Sequence, residues 1–259
     1  MDFCRLMSIV MPNLLVMVLA VGMLCVAEFY VFAVAKDYIS FGWLVFWRIS
    51  TLFFFAMWCW CWFNTILTDP GSVEEDLRRK GILERIQNGD IPYCLSHLPL
   101  CPKCNLPKHP KAHHCSVCNK CYLRMDHHCG VTGCCIADKN FKSFILNFFY
   151  AFFYGLSMGI PGIYLVIRMP STDIVVCVFG LYGLILGILL AIFGGSFAYS
   201  SASGIGTIDK LRGEKPVFSQ TKMEKFLLSL GNTWFERLTP YQKECTPLAW
   251  SGIEFDPAV

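Results

Sequence analysis

The chain has 259 residues, of which 55% are hydrophobic, 15% aromatic and only 16% charged. This composition indicates a membrane protein rather than a soluble globular protein. The net charge of +3 is small and the basic residues form no long run, so no nucleic-acid partner is predicted.

Four apolar segments are long enough to cross a bilayer, whose hydrocarbon core requires about 20 helical residues. They cover approximately residues 12–35, 41–67, 144–167 and 174–199. We therefore predict an all-α polytopic membrane protein with four transmembrane helices. The predicted organisation places helices one and two in 1–67, a loop in 68–143, helices three and four in 144–199, and a tail in 200–259.

The lysine and arginine residues predict how these helices are oriented. The two short linkers carry one basic residue each, Lys36 and Arg168, whereas the central loop carries eleven and the tail seven. Because basic segments tend to stay on the cytosolic side, both termini and the central loop are predicted to be cytosolic.

Polar and small residues inside the spans suggest how the helices pack. Glu28 and Arg48 are separated by one short linker, so we expect them to pair or to reach toward the lumenal surface, with a transport pathway as the functional alternative. Recurring glycines in spans three and four favour close helix packing, and a cavity for a lipid chain is the alternative. These glycines are Gly155, Gly159, Gly162, Gly180, Gly183 and Gly187.

The central loop begins with a turn signal, Asp69-Pro70-Gly71. Ser72 is followed three residues later by Glu75, which is the spacing of a helix capping box. We therefore predict a short helix that starts there and continues to about Gln87.

Candidate metal ligands are concentrated in the rest of the loop. All six histidines lie within residues 97–128, and eight of the fifteen cysteines lie within 101–135. Cytosolic thiols are kept reduced, so this pattern favours metal binding or catalysis over disulfides. Two tetrahedral zinc sites would use eight of thirteen candidate ligands, and the metal would supply folding energy to a loop with little core.

The spacing of these residues resembles the cysteine-rich domain of the DHHC-type protein S-acyltransferases, or palmitoyltransferases. The resemblance rests on the run Cys101-x2-Cys104-x9-His114-Cys115-x2-Cys118-x2-Cys121-x4-Asp126-His127-His128-Cys129-x5-Cys135-x4-Asn140-x3-Phe144. It extends to Asp69-Pro70-Gly71 and to the placement of the domain, with a core at 101–144, between helices two and three. A Thr-Thr-x-Glu motif of the family has its nearest counterpart at residues 206–209.

The resemblance implies a role for each part of the loop. One structural zinc ion would take Cys101, Cys104, His114 and Cys121, and a second would take Cys115, Cys118, His128 and Cys135. Cys129 would be the nucleophile that attacks an acyl-coenzyme A thioester, with His127 as its base and Asp126 orienting that base. The acyl group would then pass to a cysteine of a substrate protein.

Further expectations follow from the same resemblance. Lys108 and Lys111 are candidates for contact with the phosphates of acyl-CoA, palmitoyl-CoA in particular. Tyr154 is predicted to limit the acyl chain to C16 or shorter. The partners implied are the lipid bilayer and cysteine-containing proteins at the cytosolic face of the Golgi, the endoplasmic reticulum or the plasma membrane.

The chain also departs from the family pattern near the predicted nucleophile. Gly130-Val131 replaces the usual Pro-Trp, Cys134 stands where Asn is common, and Ala137 replaces Gly. One alternative is therefore a catalytically weak or inactive zinc-stabilised adaptor or accessory subunit. Another is a membrane-bound zinc-finger ubiquitin ligase, in which the Asp-His-His-Cys run has no chemical role.

Overall fold

The computed structural model describes residues 3–109, 111–169, 173–203, 206–211, 213 and 230–241. Among these residues, four helical spans are long and apolar enough to cross a membrane. The predicted fold class is confirmed, with the cysteine-rich segment between spans two and three. The spans are Val10–Ala35, Phe41–Leu67, Phe141–Arg168 and Ile174–Ser200.

The first span is a helix with an irregular middle. It consists of α1 (Phe3–Cys25), a π-helical segment (Val26–Val31) and α2 (Phe32–Ala35). The π-helical segment carries Glu28, whose carboxylate accepts a hydrogen bond of 2.9 Å from the guanidinium of Arg48. The predicted pairing of these two residues is therefore confirmed.

The other spans are single helices: α3 (Phe41–Leu67), α7 (Phe141–Arg168) and α8 (Ile174–Ser203). The third span begins three residues before the predicted boundary, because Lys142 and Ser143 are helical without being apolar. Hydropathy therefore located the apolar part of this helix but not its first turn.

Helices α7 and α8 pack through their glycines. A Cβ atom on Gly162 would lie 2.5 Å from the Cα of Gly180, and one on Gly155 would lie 2.6 Å from the carbonyl oxygen of Gly183. A Cβ atom on Gly159 would lie 2.8 Å from the backbone nitrogen of Leu184. These distances leave no room for a side chain, so the close packing predicted from the glycine spacing is confirmed.

The described contacts divide the chain into two compact units. The membrane unit comprises Met1–Phe63, Ser143–Tyr199 and Leu238–Pro240. The cysteine-rich unit comprises Asn64–Lys142, Ser200–Arg237 and Tyr241–Val259. Of the predicted tail, 200–259, only 200–203, 206–211, 213 and 230–241 are described, and they include α9 (Thr207–Leu211) and α10 (Trp234–Leu238).

The cysteine-rich unit begins with three short helices: α4 (Val73–Arg79), α5 (Leu83–Gln87) and α6 (Tyr93–Ser96). Ser72 caps α4 by accepting a hydrogen bond of 3.2 Å from the backbone nitrogen of Glu75, as the sequence predicted. The prediction of one continuous helix to Gln87 was wrong. Lys80 ends α4, and Gly81 then adopts a φ of +69°, a conformation that glycine reaches without a Cβ penalty.

Two antiparallel hairpins, which the sequence did not predict, follow within residues 112–136. In the first, β1 (Ala112–Cys115) pairs with β2 (Lys120–Leu123). In the second, β3 (His127–Cys129) pairs with β4 (Cys134–Ile136). The Asp69-Pro70-Gly71 turn is joined to this region, since the carbonyl of Gly71 accepts a bond of 2.9 Å from Leu123 and that of Pro70 one of 3.1 Å from Lys139.

Candidate active site and metal centres

Among the described residues, two groups of four cysteine and histidine side chains converge closely enough to hold a metal ion. Within each group the ligand atoms all lie within 4.8 Å of one another. The first cluster is Cys101, Cys104, His114 and Cys121, and the second cluster is Cys115, Cys118, His128 and Cys135. These are the two ligand sets that the family resemblance implied.

The hairpin registers explain why the ligands converge. His114 is paired across the first hairpin with Cys121, and His128 is paired across the second hairpin with Cys135. Residues directly opposite each other in an antiparallel sheet project to the same face, with Cβ atoms about 5 Å apart. Each hairpin therefore presents one histidine and one cysteine of the same cluster.

The same alternation explains how the two clusters interleave. His114 and Cys115 are neighbours on β1, and successive side chains of a strand point to opposite faces. Consistent with this geometry, His114 belongs to the first cluster and Cys115 to the second. One strand thereby contributes to both metal centres.

The distances within both clusters fit a tetrahedral zinc ion. With Zn–S near 2.3 Å and Zn–N near 2.0–2.1 Å, a tetrahedron places sulfur and nitrogen about 3.6 Å apart. The Nδ1 atom of His114 lies 3.2–3.8 Å from the three sulfurs of the first cluster. The Nδ1 atom of His128 lies 3.4–3.6 Å from those of the second cluster.

The predicted catalytic residues lie on and immediately before β3. Alternation along this strand places His127 and Cys129 on one face and the second-cluster ligand His128 on the other. Each of these two side chains shifts the pKa of the other. The strand can therefore be anchored through His128 while the Cys129 thiol remains available for chemistry.

Asp126 is buried and orients His127. Its Oδ2 accepts a bond of 2.7 Å from Nδ1 of His127, which leaves Nε2 as the ring nitrogen available to Cys129. Thr207, in α9, donates two further bonds to Asp126: 2.8 Å from its backbone nitrogen and 2.9 Å from its hydroxyl. Thr207 belongs to the segment matched to the Thr-Thr-x-Glu motif, and the side chain of Asp209 in that segment lies outside the described residues.

These contacts shift the pKa values of Asp126, His127 and Cys129, each in the direction that favours the charged form of its side chain. Burial raises the pKa of Asp126, but hydrogen bonds from His127 and Thr207 outweigh it and keep this pKa below its ordinary value. Burial disfavours the protonated form of His127, yet bonds to Asp126 and Cys129 raise its pKa to about 9. Burial likewise opposes ionisation of Cys129, while bonds from His127 and Thr132 lower its pKa to about 7.

Thr132 is a site residue that the sequence did not reveal. It is buried in the loop between β3 and β4, and its hydroxyl accepts a hydrogen bond of 3.3 Å from the Cys134 thiol. It also lowers the pKa of Cys129. A threonine in a short loop carries no sequence signal for such a role, because the contact depends on how the hairpin closes.

Asn140 ties the second hairpin to the end of α3. Its Oδ1 accepts a bond of 2.9 Å from the backbone nitrogen of Ala137, and its Nδ2 donates to the carbonyls of Cys135 (2.9 Å) and Thr65 (3.1 Å). The side chain is fully buried, so its hydrogen-bonding capacity is used within the fold. Asn140 therefore has a structural role beside the second cluster.

The remaining predicted site residues lie in different surroundings. Lys108 is partly buried and Lys111 is buried, with 5% of its surface exposed. Tyr154 lies in the membrane unit, where its hydroxyl donates a bond of 3.1 Å to the carbonyl of Ala20 and its ring lies 5.4 Å from that of Phe55. The contacts predicted between these three residues and acyl-CoA remain predictions.

The fold and site define a polytopic membrane protein whose cysteine-rich domain joins two metal-binding clusters to an Asp-His-Cys arrangement. Residues 96–208 match the family model described as DHHC palmitoyltransferase. This range contains both clusters, Thr207, and the three residues Asp126, His127 and Cys129. The match over residues 96–208 confirms the resemblance to this family that the motif spacing predicted.

Individual relatives carry similar descriptions. "Probable protein S-acyltransferase 12" of Arabidopsis thaliana is 42% identical over 103 residues, which make up 39% of this chain and 35% of the relative. "Palmitoyltransferase ZDHHC3-A" of Danio rerio is 28% identical over 197 residues, or 68% of this chain and 60% of that protein. "Palmitoyltransferase ZDHHC7" of Rattus norvegicus is 29% identical over 172 residues, 61% of this chain and 54% of the relative. The chain thus spans between 35% and 60% of the length of these relatives.

The two clusters predict the metal content of the purified protein. We expect about two zinc ions per chain, and replacing a ligand of either cluster, by Cys104→Ser or Cys118→Ser, should reduce this to about one or fewer. The metal-to-protein ratio is measured by inductively coupled plasma mass spectrometry. Cys94→Ser is the matched control, because Cys94 is a partly buried free cysteine outside both clusters and should keep both ions. Full zinc content in both ligand variants would contradict the assignment.

Proposed function

We propose that the protein is a protein S-acyltransferase. It moves a long-chain acyl group, of the palmitoyl class, from acyl-CoA to Cys129 and then to cysteines of substrate proteins. The observation that carries this proposal is the chain of hydrogen bonds from Thr207 through Asp126 to His127. His127 shares one face of β3 with Cys129, and the same strand supplies the cluster residue His128. The family match and the names of the relatives support it.

The proposed reaction begins with activation of the nucleophile. His127 takes the proton of the Cys129 thiol, and the resulting thiolate attacks the carbonyl carbon of the acyl-CoA thioester. The bond between that carbon and the sulfur of CoA breaks, and the departing CoA thiolate receives the proton from His127. Asp126 keeps Nδ1 of His127 protonated, so that Nε2 exchanges the proton in both directions.

The second half-reaction repeats these steps with a protein thiol. A substrate cysteine gives its proton to His127, and its sulfur attacks the acyl carbon held on Cys129. The Cys129 thiolate leaves and recovers a proton. Two zinc ions bound to the clusters would supply folding energy and a fixed frame, without taking part in either half-reaction.

The membrane setting of the proposal follows from the spans and their charges. We propose that the cysteine-rich unit faces the cytosol, since the basic residues are concentrated in the central loop and the tail. Substrate cysteines would then be those presented at the cytosolic surface of the bilayer, in the Golgi, the endoplasmic reticulum or the plasma membrane.

Contacts with the acyl donor are proposed at three residues. Tyr154, in α7, is proposed to restrict the acyl chain to C16 or shorter. Its side chain joins the third span to the first and second spans through Ala20 and Phe55. Lys108 and Lys111 are proposed for the CoA phosphates, and Lys108 is the more exposed of the two.

The covalent intermediate provides the direct test of the proposed function. Purified wild-type protein incubated with radiolabelled palmitoyl-CoA should acquire a label that hydroxylamine removes, and Cys129→Ser should acquire none. Cys94→Ser is the control and should label like the wild type. Zinc content is measured in parallel, so that a failure of Cys129→Ser to label is separated from misfolding. Zinc-loaded wild-type protein that never labels would instead favour an adaptor without turnover.

The bond from the Thr207 hydroxyl predicts a slower first half-reaction when it is removed. In Thr207→Val the backbone bond to Asp126 remains but the hydroxyl bond is lost, and a hydrogen bond to a charged group contributes about 1.5–3 kcal/mol. We expect the rate constant for acylation of Cys129 to fall about tenfold, measured in single-turnover experiments with labelled acyl-CoA. Thr207→Ser retains the hydroxyl and should stay near the wild-type rate, whereas equal rates in all three proteins would remove Thr207 from the proposed mechanism.

The position of Tyr154 predicts its effect on chain length. Tyr154→Ala should increase the rate with stearoyl-CoA relative to palmitoyl-CoA, because it removes the ring at the proposed end of the acyl site. Tyr154→Phe keeps the ring and loses only the bond to Ala20, so its ratio of C18 to C16 rates should resemble that of the wild type. The competition is read by mass spectrometry of acyl-Cys129. A Tyr154→Ala protein with the wild-type ratio would exclude this residue as the determinant.

A further inference from the structure

The residue opposite the proposed nucleophile is a second cysteine. In the β3–β4 hairpin, Cys129 pairs directly with Cys134. The adjacent pair, His128 with Cys135, is turned toward the second metal cluster. Alternation of faces therefore puts Cys134 on the same side of the hairpin as Cys129 and His127, away from the metal ligands.

Contacts around Cys134 hold its thiol in place. Its sulfur donates a hydrogen bond of 3.3 Å to the hydroxyl of Thr132. The amide of Asn140 lies 3.9 Å from the same sulfur, and the carbonyl oxygen of Thr65, in α3, lies 3.8 Å from it. Thr132 also lowers the pKa of Cys129, so both thiols have this buried residue as a neighbour.

Directly opposed strand residues meet the spacing that a disulfide requires. Their Cα atoms lie about 4.5–5.5 Å apart in an antiparallel pair, and disulfides join Cα atoms about 4.4–6.8 Å apart. A bond between the two sulfurs would need side-chain rotation but no shift in strand register. The metal ligands His128 and Cys135 would keep their positions on the opposite face.

We propose that Cys129 and Cys134 form a reversible oxidation site, in which a disulfide between them blocks the nucleophile and is restored by a thiol reductant. The inference rests on the proposed function in taking Cys129 as the acyl-carrying thiolate. The oxidant is a peroxide. A thiolate that attacks a thioester also reacts with peroxides, so the two reactions compete for the same sulfur.

The oxidation balances in two steps. The Cys129 thiolate attacks one oxygen of hydrogen peroxide, the O–O bond breaks, and the sulfur becomes a sulfenic acid while hydroxide leaves and is protonated to water. The sulfur of Cys134 then attacks the Cys129 sulfur, the S–O bond breaks, and the departing hydroxide takes the thiol proton of Cys134 as water. Two thiols and one peroxide give one disulfide and two waters.

This site has two consequences for the protein. The disulfide removes the Cys129 sulfur from acyl transfer until a dithiol or another reductant exchanges with it. It also prevents further oxidation of Cys129 to the sulfinic acid, which ordinary reductants do not reverse. Cys134 would therefore act as a resolving thiol.

The test uses the full-length, zinc-loaded protein in detergent with hydrogen peroxide as the oxidant. After oxidation, free thiols are alkylated under denaturing, metal-chelating conditions, and the tryptic peptide 125–139 is sequenced by mass spectrometry. We expect this peptide to lose about 2 Da through a bond between Cys129 and Cys134, with Cys135 alone alkylated. Zinc content should be unchanged before denaturation, and palmitoyl labelling should be lost and then recovered with dithiothreitol.

Two variants separate this arrangement from non-specific oxidation. In Cys134→Ala, peroxide should convert Cys129 to the sulfinic acid, a gain of about 32 Da, and dithiothreitol should not restore labelling. Cys134→Ser repeats the experiment with a near-isosteric side chain, and zinc content shows which variant is folded. Cys94→Ala is the matched control and should behave as the wild type.

The outcomes distinguish failure of this inference from failure of the proposed function. Wild-type protein that acylates Cys129 but oxidises it to the sulfinic acid, with Cys134 still free, would overturn the inference alone. A disulfide that includes Cys135, with loss of zinc, would also overturn it. Formation of the Cys129–Cys134 bond in protein that never acquires an acyl label would support the oxidation site and contradict the acyl-transfer proposal.

Discussion

Alternation of side chains along β3 is the constraint on which the site depends. His128 points to the second metal cluster, so His127 and Cys129 necessarily share the other face. A helix could not provide this division, because residues two apart on a helix do not lie on one face. The extended conformation allows three consecutive residues to serve as a metal ligand, the proposed base and the proposed nucleophile without competition between them.

The buried carboxylate of Asp126 extends this arrangement beyond the hairpin. Burying an ion is costly unless it is hydrogen-bonded, and Asp126 accepts bonds from His127 and from both polar groups of Thr207. One of these partners is adjacent in sequence and the other is 81 residues away. The protonation state of His127, the proposed base, therefore depends on a contact that forms only when α9 is placed against the hairpins, within the cysteine-rich unit.

The parts of this structure that the sequence predicted are those with a periodic or spaced signal. Hydropathy located the four spans, and the glycine spacing in α7 and α8 predicted their packing. The ligand sets came from spacing shared with a known family. The break at Gly81 was missed because the capping signal at Ser72 defines where a helix starts and not where it ends.

Other site features lacked any local signal. The four strands are each only three or four residues long, too short for alternation to stand out beside metal ligands of similar character. The pairing of Cys129 with Cys134 and the contact of Thr132 with both depend on hairpin register, which the loop between the strands determines. Register is set by two segments together, so it cannot be predicted from the sequence of either segment alone.

The hairpin loop also shows how this chain positions Cys129 without the Pro-Trp pair found after the nucleophile in the resembling family. The carbonyl of Cys129 accepts a bond of 2.8 Å from the backbone nitrogen of Gly133, and Gly133 adopts a φ of +68° that favours glycine. Thr132 is buried within this turn and accepts a hydrogen bond from the Cys134 thiol. A proline fixes the backbone through its own ring, whereas here a closed turn and a cross-strand neighbour restrain the same residue. The restraint therefore depends on the pairing of β3 with β4. A metal ion bound to the second cluster, which takes one ligand from each strand, would stabilise that pairing.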